Sequence, residues 1–131
     1  MKETDIRILR ERYEKMLDEG TRCYFEPDEL ELIADLYEQE MSYRKALQVI
    51  SHGLDLYPNN EQLLIHKSRC LLSLGRVEDA ATTLAHTTER SIEYYFILSE
   101  IEILRENKDE VIKAFNSIIS ASDCVIEDCI D

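Results

Sequence analysis

Apolar residues recur every three or four positions along most of this chain, a spacing that is typical of amphipathic helices. The first such stripe lies in residues 5–19 and ends at Gly20, so it predicts one helix. A second helix is expected to begin at Pro27, because proline fits the first helical position, where its missing N–H costs no hydrogen bond. A third stripe follows over residues 46–54, and Pro58 ends it.

After Pro58 the same pattern starts again. An offset of 34 residues aligns four pairs of similar side chains, Leu30 with Leu64, Tyr37 with Leu71, Ala46 with Ala80, and Ile50 with Leu84. Self-similarity at this period is the sequence signature of stacked helical hairpins. The predicted units are a capping helix with its linker over 1–26, repeats over 27–60, 61–91 and 92–120, and an acidic and apolar tail or capping segment over 121–131.

The first repeat, residues 27–60, resembles a tetratricopeptide repeat. That pattern of large apolar, small and aromatic residues with a closing proline is matched here by Leu30, Ile33, Ala34, Tyr37, Ala46, Ile50 and Pro58. The next unit matches too, although Lys67 occupies a usually apolar position, and the third matches weakly. The resemblance implies an all-α fold, a right-handed superhelix of antiparallel helix hairpins with an N-terminal capping helix, and a role in protein–protein interaction.

The resemblance also implies a concave groove, lined by the first helix of each hairpin, that commonly holds a peptide. The usual groove positions are Asp28, Glu31, Asp35 and Glu38 in the first repeat, Gln62, Ile65, Arg69 and Leu72 in the second, and Glu93, Phe96, Glu100 and Ile103 in the third. Residues 26–40 hold seven acids and no lysine or arginine. This acidic wall is either an ordinary solvated face or a site for a basic or amphipathic segment of a partner protein, with Ile65, Leu72 and Phe96 as apolar contacts.

The composition narrows the classes of function. The chain holds 28 Asp and Glu against 15 Lys and Arg, a net charge of −13, which disfavours nucleic-acid binding. Its longest apolar run is far shorter than the roughly 18 residues of a membrane-spanning helix. The charged N-terminus does not resemble a secretory signal, so no membrane association and a cytoplasmic location are expected. The four cysteines, Cys23, Cys70, Cys124 and Cys129, are expected to be free thiols.

No nucleophile motif, phosphate-binding loop or zinc-ligand spacing occurs in the sequence. We therefore predict a non-catalytic adaptor or chaperone-like scaffold with no catalytic residues, no cofactor and no metal site. Two alternatives stay open. The chain could be a self-associating scaffold fragment that forms a homo-oligomer through apolar end faces. It could also be a small enzyme or regulatory subunit that uses the clustered carboxylates of residues 26–40, with or without a divalent cation.

Overall fold

A computed structural model describes residues 2–121 of the chain, and this part contains six helices and no strand. The helices are α1 (Glu3–Glu19), α2 (Pro27–Gln39), α3 (Tyr43–Leu56), α4 (Glu61–Ser73), α5 (Val77–Ala85) and α6 (Ile92–Ala121). The predicted all-α class is confirmed. The handedness of the superhelix and the bounds of the repeats stay predictions. No helix in residues 2–121 combines the length and apolarity needed to cross a membrane.

Each helix packs on its neighbour in the chain, and α4 also contacts both α2 and α6. Small buried side chains bring the paired helices together, with Ala34 and Ala46 at the contact of α2 with α3 and Ser68 and Ala80 at the contact of α4 with α5. The Ser68 hydroxyl donates a hydrogen bond of 2.8 Å to the carbonyl oxygen of Ala80. The result is two helix hairpins, α2–α3 and α4–α5, stacked through the packing of α3 on α4.

The core consists of two clusters of buried apolar side chains. The first joins α1, α2, α3 and α4 and includes Tyr13, Phe25, Leu30, Ile50 and Leu63. The second joins α4, α5 and α6 and includes Ile65, Leu71, Leu84, Ile97 and Ile101. Since α4 contributes to both clusters, the two hairpins and the first part of α6 share one continuous helical scaffold.

Both hairpins turn through the same hydrogen-bonded motif at the end of their first helix. After α2, the amide of Ser42 donates to the Tyr37 carbonyl at 2.8 Å, and after α4, the amide of Arg76 donates to the Leu71 carbonyl at 2.9 Å. This Schellman motif requires a residue with positive φ after the helix. Gly75 fills that position in the second hairpin with φ 78°, and Met41 fills it in the first with φ 60°.

Met41→Gly is expected to stabilise the protein by about 0.5–1 kcal/mol, because a β-carbon in the left-handed conformation costs more than the chain entropy of glycine. The Met41 side chain is 77% exposed, so its removal loses little packing. Urea unfolding followed by circular dichroism measures the change. Gly75→Ala at the equivalent position is the matched control, and it should destabilise. Equal or lower stability of Met41→Gly would contradict this account.

The third hairpin predicted over residues 92–120 does not form as expected. The chain instead makes one continuous helix of 30 residues, α6. The physical reason lies in residues 105–109, Arg-Glu-Asn-Lys-Asp, which contain no glycine or proline and so do not break a helix as Gly75 does. The predicted tail over 121–131, apart from Ala121, lies outside the described residues.

Candidate functional site

The predicted groove positions lie on three helices, α2, α4 and the first part of α6, and we call their shared surface the α2–α4–α6 face. Helix α4 lies between the other two and contacts both. The exposed side chains among the predicted positions are Asp28, Gln62, Phe96, Glu100 and Ile103, while Leu72 is partly buried. The remaining charged positions form one network of ion pairs.

His66 is the centre of this network. Its side chain is only 2% exposed, yet it contacts three carboxylates of α2. Its Nδ1 lies 3.2 Å from Oε1 of Glu31, and its Nε2 lies 3.0 Å from Oε1 of Glu38 and 3.4 Å from Oδ1 of Asp35. A carboxylate accepts hydrogen bonds but does not donate them, so Glu31 and Glu38 are both satisfied only when both ring nitrogens of His66 carry a proton.

Arg69 extends the network across all three helices. Its Nη2 lies 2.9 Å from Oδ1 of Asp35 and 3.1 Å from Oε2 of Glu38, both on α2. Its Nη1 lies 2.7 Å from Oε1 of Glu93 on α6. Arg69 therefore ties together the first helices of two hairpins and the start of α6.

The pKa values of the cluster reflect burial and hydrogen bonding together. Burial disfavours the imidazolium of His66, but the hydrogen bonds to Glu31 and Glu38 outweigh it and raise the pKa of His66 to about 9. Burial also disfavours the carboxylate of Glu38, but its hydrogen bonds with His66 and Cys70 lower its pKa to about 2. Burial raises the pKa of Asp35 and that of the Cys70 thiol. At neutral pH the cluster therefore holds a protonated His66 beside an ionised Glu38.

Comparison with known proteins identifies the scaffold that carries this network. Residues 37–91 match the tetratricopeptide repeat family, over α3, α4, α5 and the segments that join them. The match supports the assignment of this segment to the tetratricopeptide repeat family. No curated protein matches the chain. Tetratricopeptide repeats generally mediate protein–protein interaction, and the family is typically non-catalytic.

One predicted contact of the tetratricopeptide repeat groove is wrong. Ile65 is 1% exposed and packs with Leu71 and Ile97 in the core, so it is not available to a bound peptide. The reason is the closeness of α6, whose buried stripe covers this side of α4. The other groove positions stay predictions.

The acidic wall of the first repeat is not a row of free carboxylates. Glu31, Asp35 and Glu38 each contact His66 or Arg69 of the next repeat. Sequence reasoning missed His66 and Cys70, because each follows a predicted groove position by one residue. The repeat offset did contain a signal, since Asp35 and Arg69 are 34 residues apart and equivalent positions of stacked repeats lie side by side.

Proposed function

We propose that this tetratricopeptide repeat protein is a non-catalytic interaction module that binds an amphipathic, basic segment of a partner protein on the α2–α4–α6 face. The observation that carries the proposal is a pair of exposed apolar side chains on α6. Phe96 is 66% exposed and Ile103 is 55% exposed. They are seven residues apart, which places them on the same side of the helix.

This apolar pair lies in line with the ion-pair network. Glu93 and Glu100 alternate with Phe96 and Ile103 at helical spacing, so the four side chains form one stripe along α6. Glu93 reaches Arg69 of α4 at 2.7 Å, which places the start of the stripe beside the network. A helical or extended segment could therefore contact apolar and charged groups at the same time.

The charge of the face favours a basic partner even after its internal ion pairs are counted. Its six carboxylates, from Asp28, Glu31, Asp35, Glu38, Glu93 and Glu100, face two cations, His66 and Arg69, which leaves four negative charges. Asp28 and Glu100 are exposed, and the Asp35 side chain keeps 44% of its surface in contact with solvent. Such a surface attracts lysine and arginine side chains and repels acidic ones.

The double variant Phe96→Ser/Ile103→Ser is expected to weaken peptide binding at least about tenfold, because a few side chains that become well packed on binding carry most of the energy of such interfaces. A random-peptide phage library selected on the full chain provides the ligands. The selected sequences should combine apolar residues with lysine and arginine. Fluorescence anisotropy with one synthetic selected peptide then measures the affinity of each variant, and this affinity should fall as salt rises.

Leu56→Ser is the matched control, because Leu56 is 51% exposed at the end of α3 and lies outside the α2–α4–α6 face. This variant should bind the peptide as the wild-type chain does. Selection of acidic peptides would contradict the proposal. Equal affinities of the double variant and the wild-type chain would place the site elsewhere.

A further inference from the structure

A second kind of site lies within the network, where three metal-ligating side chains meet. His66 and Cys70 are four residues apart on α4, so they share one side of that helix. Glu38 of α2 lies between them. Its Oε1 is 3.0 Å from Nε2 of His66 and accepts a hydrogen bond of 3.0 Å from Sγ of Cys70. The three ligand atoms all lie within 4.8 Å of one another.

The contacts of His66 Nε2 conflict with one another. This single atom lies 2.7 Å from Nη2 of Arg69, which is a donor, and 3.0 Å from Oε1 of Glu38, which is an acceptor. If Nε2 carries a proton, it donates to Glu38 and meets the guanidinium as a like charge. If it carries none, it accepts from Arg69 and its lone pair faces the carboxylate. Neither protonation state satisfies both contacts.

A divalent cation resolves this conflict, because nitrogen, sulfur and carboxylate oxygen all donate electron pairs to it. The geometry points to a zinc-binding site formed by Nε2 of His66, Sγ of Cys70 and a carboxylate oxygen of Glu38, with Asp35 as the fourth ligand. Asp35 Oδ1 already lies 3.4 Å from the same Nε2. A set of imidazole, thiolate and carboxylate ligands is one that Zn²⁺ accepts in tetrahedral geometry.

The surroundings of these four side chains also suit a metal site. Oε1 of Glu31 lies 3.2 Å from Nδ1 of His66. A carboxylate at this nitrogen fixes the ring with Nε2 free to bind a metal, as in many zinc sites. The sequence-based expectation of no metal site failed to consider this set, because Glu38 and Cys70 are 32 residues apart in the chain and meet only when α2 packs against α4.

Arg69 is the group that has to move when the metal binds. Its side chain is 38% exposed, and its Nη1 is already paired with Glu93 of α6 at 2.7 Å. It can therefore turn away from His66 while keeping that ion pair. Binding of Zn²⁺ releases the proton of the Cys70 thiol and the proton of the His66 imidazolium, so the total charge of the cluster stays the same.

The test is a titration of the full, reduced and chelator-treated chain with Co²⁺, followed by Zn²⁺. The thiolate-to-cobalt absorption band should stop growing at one equivalent of Co²⁺ per chain. Added Zn²⁺ should displace the cobalt and remove the band. Cys70→Ser should abolish the band, and Glu38→Gln should weaken metal binding at least about tenfold. Arg69→Gln should bind metal more tightly than the wild-type chain, because the competing guanidinium is gone.

The other cysteines provide matched controls. Cys23→Ser and the double variant Cys124→Ser/Cys129→Ser should both keep the cobalt band. Circular dichroism checks that each variant is folded. Arg69→Gln is expected to bind metal more tightly, and a loss of structure would not produce such a gain. The proposal is overturned if the wild-type chain gives no band, if the band survives Cys70→Ser, or if Arg69→Gln binds more weakly than the wild-type chain.

Discussion

Leu84→Ala is expected to lower the free energy of unfolding by about 2–5 kcal/mol, because it removes buried methyl groups and leaves a cavity between helices. Leu84 is 2% exposed and packs with Ile97 and Ile101 of α6 in the second core cluster. Its position on α5 makes it a contact between the second hairpin and the last helix. Truncation therefore weakens the scaffold at the point where α6 is held.

Urea unfolding followed by circular dichroism measures this change. Leu56→Ala is the matched control, since it makes the same chemical change at a helical residue that is 51% exposed. The control should lose less than about 1 kcal/mol, because little apolar surface returns to water. Similar losses for the two variants would mean that Leu84 is not part of the core.

His66→Leu is expected to cost about 3 kcal/mol of stability when measured with a chelator present. The variant removes the imidazolium that pairs with Glu31 and Glu38, so both carboxylates lose a hydrogen-bond donor and Glu38 keeps only those from Arg69 and Cys70. The Glu31 side chain keeps 25% of its surface exposed and the Glu38 side chain keeps 17%. Water can therefore replace the lost hydrogen bonds only in part. Removal of one partner from such a buried pair is usually far more costly than replacement of both.

A double-mutant cycle with Glu38→Leu measures the interaction energy between the side chains of His66 and Glu38. The double variant His66→Leu/Glu38→Leu should lose clearly less stability than the sum of the two single losses. His86→Leu serves as the control at an exposed histidine of the chain. If the losses of the two single variants simply add, the contact of His66 with Glu38 contributes nothing specific to folding.

The sequence predicted the helical scaffold well because the relevant information is local. Helix propensity, the proline at position 27 and the glycine at position 75 act on the residues beside them, so α2 and α4 begin and end near the expected places. The exception is α6. The third repeat was expected to turn near residues 105–109. These residues include no glycine or proline that would end a helix, so α6 continues through them.

The candidate site was predicted less completely, because its contacts lie between helices. The sequence, through its resemblance to tetratricopeptide repeats, placed Asp35 and Arg69 in equivalent groove positions, and the structure brings them to 2.9 Å. It did not predict that His66 would be buried among acids, because a histidine beside a groove position gives no sign of what the facing helix carries. It also predicted Ile65 as an exposed contact, since the closeness of α6 is not visible in the local pattern.

The sequence by itself determined helices α1 to α5, their order, the 34-residue period and the acidic character of the first repeat, because hydrophobic periodicity and local charge can be read from residues near one another in the chain. Only the tertiary structure decided which of those acids are neutralised and which side chains meet. Distances between α2, α4 and α6 depend on the packing of buried side chains more than 30 residues apart, and the pKa of His66 depends on those distances. The network of His66, Arg69 and Glu38 is thus a property of the packed helices.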